Sequence, residues 1–196
     1  MFKNGAQRLT ENLIVCGIVS EKDSELYRYG FEIGFSMLAN ILTTITIGVL
    51  LKMPLESLIF LAAFIPVRSY VGGFHASNHF RCYWFSVFAV VVVLLAARLF
   101  VAMLNTAAII GLGAICVILM FALVPVQDAN RPLDAEAVYV FKRKARIVLA
   151  VELAVLAVLT VIGPKAIASV LLCTLCLTCI STCVGTLKNY ANEHMR

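Results

Sequence analysis

At 196 residues, with 62% hydrophobic and only 14% charged residues, the chain is too apolar for a soluble domain, in which apolar content is roughly half. Its net charge of +5 does not point to nucleic acid, because the basic residues are spread among loops without aromatic interleaving. One membrane domain is implied, since no Ser/Gly/Pro-rich linker divides the chain.

In chain order, Leu9, Leu13, Cys16 and Ser20 recur at helical spacing in the first twenty residues, which suits a short interfacial helix. The stretch is not a cleavable signal, because its longest apolar run is broken by Gly17. Ser20-Glu21-Lys22-Asp23 then offers helix-start chemistry, a side-chain oxygen followed three residues later by a carboxylate. Six apolar runs follow, at about 31–51, 55–71, 83–103, 107–124, 147–162 and 166–187. A helix needs about 20 residues to cross the hydrocarbon, so the fifth run spans only if Ala145 and Arg146 extend it at one end. The expected fold is all-α and polytopic: a cytoplasmic or interfacial helix in residues 1–30, a six-span core in 31–187 and a cytoplasmic tail in 188–196.

With the N-terminus inside, thirteen Lys and Arg residues fall on the cytoplasmic side and three, Lys52, Arg98 and Lys165, on the outer side. That bias predicts that both termini and the segment between the second and third spans are cytoplasmic. Four of the seven cysteines (Cys173, Cys176, Cys179 and Cys183) form a stripe within the last run, where Cys acts as a small hydrophobe, and free thiols are expected. Gly111-x-Gly113 reads likewise as a close helix approach. Glu152, more than a turn into the fifth run, is expected to pair with Arg68 or Arg81 or to extend outward beside Arg146.

Residues 68–82 form a polar island between two apolar runs and contain two of the three histidines, the Gly72-Gly73 pair and Cys82. A cytoplasmic face is reducing, so Cys82 persists there as a thiol, and an imidazolium partner or a helix N-terminus favours its thiolate. On one continuous helix the seven residues from His75 to Cys82 would rise about 10.5 Å, far beyond the roughly 3 Å reach of a general base. The segment must therefore fold back, with His75 on or beside a bend that Gly72-Gly73 and Ser77-Asn78 permit. His75-x-x-x-His79-x-x-Cys82 also has metal-ligand spacing. The zinc-protease motif needs a carboxylate after the first His, where this chain has Ala76, so neither metal nor other cofactor is expected.

Arg68-x-x-x-Gly72-Gly73-x-His75-Ala76, followed by Cys82 and Ser86, resembles the signature of the accessory gene regulator B family, membrane cysteine endopeptidases of bacterial peptide quorum sensing. Weaker echoes are Tyr29-Gly30-x-Glu32 and Pro125 followed by Asn130-Arg131-Pro132-Leu133. The resemblance implies that Cys82 is the nucleophile and His75 the general base, with Arg68, Gly72, Gly73 and Ser86 shaping the site. The substrate so implied is a small precursor peptide with an amphipathic leader and an acidic tail, cut through a thioester and closed to a thiolactone or lactone. The third catalytic residue stays open among Glu32, Asn78 and Asp128. Lys142, Arg143 and Lys144, read as the end of the fourth loop, pin topology and contact anionic lipid, and are candidates for docking the acidic tail. A homodimer is implied by family analogy. The alternative of another class is a small carrier or peptide exporter whose polar island binds substrate without a nucleophile; such a protein tolerates Cys82→Ala.

Overall fold

The computed structural model describes residues 3–72, 79–124, 126 and 135–194. Those residues form an all-α protein of seven helices: α1 (Lys3–Val15), α2 (Ser24–Leu50), α3 (Pro54–Val71), α4 (His79–Met103), α5 (Thr106–Leu123), α6 (Ala135–Ile162) and α7 (Lys165–His194). The last six are long and apolar enough to span a bilayer.

Local chemistry explains where the helices begin. Ser20, in extended conformation, accepts a hydrogen bond from the Lys22 amide and opens a short 3-10 turn that runs into α2. Pro54 occupies the first turn of α3, where its missing N–H costs nothing. The Asn105 side chain accepts from the Ala108 amide and caps α5. The start of α2 at Ser24 agrees with the helix-start chemistry read at Ser20 to Asp23. One expectation shifts: α6 begins at Ala135, so that Lys142 to Arg146 are helical rather than the end of a loop. The Lys and Arg side chains there are exposed, and a long stem lets a cation keep its charge outward while its helix continues.

Packing is centred on α7, which meets α3, α4, α5 and α6. Its most apolar stretch is 61% buried, against 11 to 28% in the other five spanning helices. Inside a bilayer apolar side chains gain little by leaving lipid, so close packing of small residues holds helices together. Helix α7 suits that role: Ala168, Ser169, Cys173, Thr174, Thr178, Cys179 and Thr182 are all buried. Cys116 of α5 lies with its Sγ 3.8 Å from that of Cys176, and Cys116 and Cys179 belong to the principal apolar cluster. The cysteine stripe is therefore a packing surface, and the seven thiols are free.

The glycines divide. A Cβ on Gly113 would run into Leu156 of α6, which marks a close approach of α5 and α6, whereas Gly111 faces open space and takes no part in it. At Gly48 a Cβ would overlap the Ser57 side chain and press on the Met53 carbonyl at 3.0 Å. We expect Gly48→Ala to lower stability by about 1–3 kcal/mol, measured as thermal unfolding in detergent.

Helix α1 packs on α2, and its buried residues are Ala6 and Thr10. Leu9 is 38% exposed, as an interfacial helix requires of its lipid-facing side.

Candidate functional site

The polar island starts where α3 ends. Pro66 interrupts the hydrogen-bond ladder of α3 without ending it, and Arg68 follows one turn before the helix terminus. The Arg68 guanidinium turns two ways. Its Nη1 donates at 3.0 Å to the Gly72 carbonyl and at 3.0 Å to the Ser181 hydroxyl of α7. A charged group at this level needs such partners, because each unsatisfied donor away from water is costly.

Gly72 ends α3. Its φ of +79° and ψ of −147° form a conformation open only to glycine, and a Cβ there would collide with the Val126 carbonyl. The Val126 amide in turn donates to the Val71 carbonyl at 3.1 Å, and Gly72 and Val126 form an isolated parallel bridge. Val126, just beyond α5, is thus joined by its backbone to the end of α3. This junction gathers Arg68, Gly72, Val126 and Ser181.

Cys82 is the fourth residue of α4, half-buried, in the first turn where the helix macrodipole favours negative charge. The next residue, Tyr83, shares a 2.7 Å hydrogen bond with Thr43 of α2, which ties the start of α4 to a second helix. Ser86 stands one turn beyond and donates to the Cys82 carbonyl at 3.0 Å, so its hydroxyl serves the backbone of its own helix. Gly73, His75, Asn78 and Asp128 lie outside the described residues, as do the bend expected at His75 and the side chains of His79 and Arg81. Among the described residues no three His, Cys, Asp or Glu side chains are grouped to hold a metal ion.

The basic cluster is divided by the helix that carries it. Lys144 leans toward α3, with Nζ 5.7 Å from the centre of the Tyr70 ring, and Tyr70 also packs on Phe141 at 6.1 Å. Arg146, two residues and therefore about 200° further round, lies over Phe121 of α5 at 5.8 Å. All four cations, Lys142, Arg143, Lys144 and Arg146, are exposed. Lys144 is thus the member of the cluster directed to the end of α3, two residues from the Gly72 junction.

Glu152 does not meet Arg68, whose guanidinium is engaged with Gly72 and Ser181; its Oε2 is buried without a hydrogen-bond partner among the described residues. Sequence reasoning missed Ser181, Thr43 and Val126. Ser181 sits among cysteines and threonines that read as packing, and nothing in the spacing separates it from them.

The family model for accessory gene regulator B matches residues 3–182. No curated protein and no solved structure matches the chain.

Proposed function

This chain belongs to the accessory gene regulator B family, and from that premise we propose that it is a membrane-embedded cysteine endopeptidase acting on a small quorum-sensing peptide precursor. Family membership is consistent with a quorum-sensing role. The observation that carries the finer reading is the position of Cys82, half-buried in the first turn of α4, seven residues after His75 in the Gly-Gly-x-His-Ala pattern.

In this reading His75 takes the Cys82 proton and the thiolate attacks the scissile carbonyl. Amides at the start of α4, three of which lack acceptors in their own helix, receive the developing oxyanion. The tetrahedral adduct collapses as His75 returns the proton to the departing amine, and the acidic tail leaves with a new amino terminus. Cys82 is left as a thioester. A thiol or hydroxyl of the retained peptide then attacks that thioester, its proton passing to the base; the ring closes and the Cys82 sulfur leaves. Exchange between thioesters is nearly isoenergetic, whereas water discharges the acyl-enzyme irreversibly, so exclusion of water at the bilayer boundary favours the ring. The charge bias of thirteen against three supports a cytoplasmic position for this end of the bundle.

The test needs no precursor. Alkylation of each of the seven cysteines is followed in membranes at neutral pH, in wild type and His75→Ala, by peptide mass spectrometry. The expected result is that Cys82 reacts faster than the exposed Cys16 and slows when His75 is removed. Equal rates at the two residues in both proteins would sink the preassembled pair.

Lys144 is proposed to hold a carboxylate of the acidic tail. Lys144→Gln is expected to raise KM for an acidic-tailed precursor about fivefold with kcat unchanged, and added salt to reduce the difference. Lys142→Gln, a cation of the same helix without the Tyr70 contact of Lys144, serves as the comparison. Equal KM changes in the two variants would show a diffuse field instead of a site.

A further inference from the structure

Of the hydroxyl groups along α7, those of Thr174, Thr178, Thr182 and Thr186 turn back on their own helix, each donating to the carbonyl four residues earlier. Ser181 differs: its hydroxyl takes a hydrogen bond from another helix, from a guanidinium 113 residues away in sequence. The same Arg68 nitrogen holds the Gly72 carbonyl, the last described atom group before the segment that contains His75. The three groups form a strut that runs from the central helix to the turn.

We infer that Ser181 is a positioning residue for the thiol site, acting through Arg68 to fix the direction in which the chain leaves α3. The inference rests on the proposed thiol chemistry and adds a residue from the far end of the chain to it. The physical argument is one of constraint. Gly72 is a residue with little intrinsic preference for one conformation, so its direction is set by what grips it. Two grips are present: the Val71–Val126 pairing on one side and Arg68 on the other. A guanidinium on a flexible stem holds a carbonyl in place only if it is itself held, and Ser181 supplies an anchor on α7, the most buried spanning helix.

Ser181→Thr keeps the hydroxyl and adds a methyl, and Ser181→Val has the shape of that threonine without the hydroxyl, so the two variants differ only in the group that Arg68 holds. The probe is N-ethylmaleimide on intact membranes at neutral pH, with the rate at Cys82 divided by that at Cys16. We expect Ser181→Val to lower this ratio about tenfold and Ser181→Thr to restore it within about twofold, as loss of a hydrogen bond to a charged group predicts. In an Arg68→Gln background, Ser181→Val should have no further effect, because the hydroxyl then has no guanidinium to hold. A purely packing role for Ser181 would lower the ratio equally in both backgrounds, and that result overturns the inference. A fast, His75-dependent Cys82 that is unmoved by Ser181→Val also overturns it and leaves the endopeptidase reading standing. A Cys82 that reacts like Cys16 in wild type and in His75→Ala overturns both. Thermal unfolding in detergent of each variant separates a displaced segment from a disrupted bundle.

Discussion

Cys82→Ala is expected to abolish release of the precursor's tail, with a fall of at least about a thousandfold, because the thioester step cannot form without the Cys82 sulfur. His75→Ala is expected to cost about 10² to 10⁴-fold, the usual contribution of a positioned general base. Neither variant should disturb the bundle. Cys82 is half-buried at a helix start, and alanine is a better helix former than cysteine. The control is Cys176→Ala. That thiol is packed against Cys116 between α5 and α7, so its loss should lower thermal stability while tail release continues. Mass spectrometry of the products and unfolding in detergent give the two readouts. Tail release by Cys82→Ala at the wild-type rate would remove Cys82 from the proposal as its nucleophile.

The six spans were legible because a bilayer imposes a demand that sequence must answer over about 20 consecutive residues. The start of α6 was not. Lys142, Arg143, Lys144 and Arg146 look like a loop to any reading that counts charge, yet each extends from a helix whose backbone is satisfied internally. The pattern from Arg68 to Ser86 stands out in the sequence, and is proposed as a site, because histidine, glycine pair and cysteine are residues that an apolar chain uses sparingly. What spacing does not carry is the lateral arrangement. Ser181 joins Arg68 because α3 and α7 are neighbours, and Val126 joins Gly72 because the ends of α3 and α5 meet at one end of the bundle. Those contacts depend on which helix faces which. A hydropathy pattern does not encode that for spans such as α4 and α5, apolar nearly all round.

The second large effect is expected at Gly72. Alanine at this position meets two obstacles that compound. Its backbone would have to hold φ near +79° with ψ near −147°, a combination essentially confined to glycine and costing about 1–3 kcal/mol elsewhere. Its Cβ would also collide with the Val126 carbonyl, and that atom belongs to a backbone and cannot swing aside as a side chain does. Relief requires the two backbones to part. Parting breaks the Val126-to-Val71 hydrogen bond and withdraws the Gly72 carbonyl from Arg68. We expect Gly72→Ala to reduce both tail release and the Cys82 alkylation ratio about a hundredfold, since two interactions and the turn geometry are lost together. The six spanning helices should still insert, because the junction lies at their ends and not between them. Gly111→Ala tests the specificity of the effect: a Cβ there meets nothing within 4 Å, and alanine within a helix should leave activity unchanged and raise stability slightly. If Gly72→Ala releases the tail at the wild-type rate, the direction of the chain at α3 does not govern the thiol, and neither Arg68 nor Ser181 positions it.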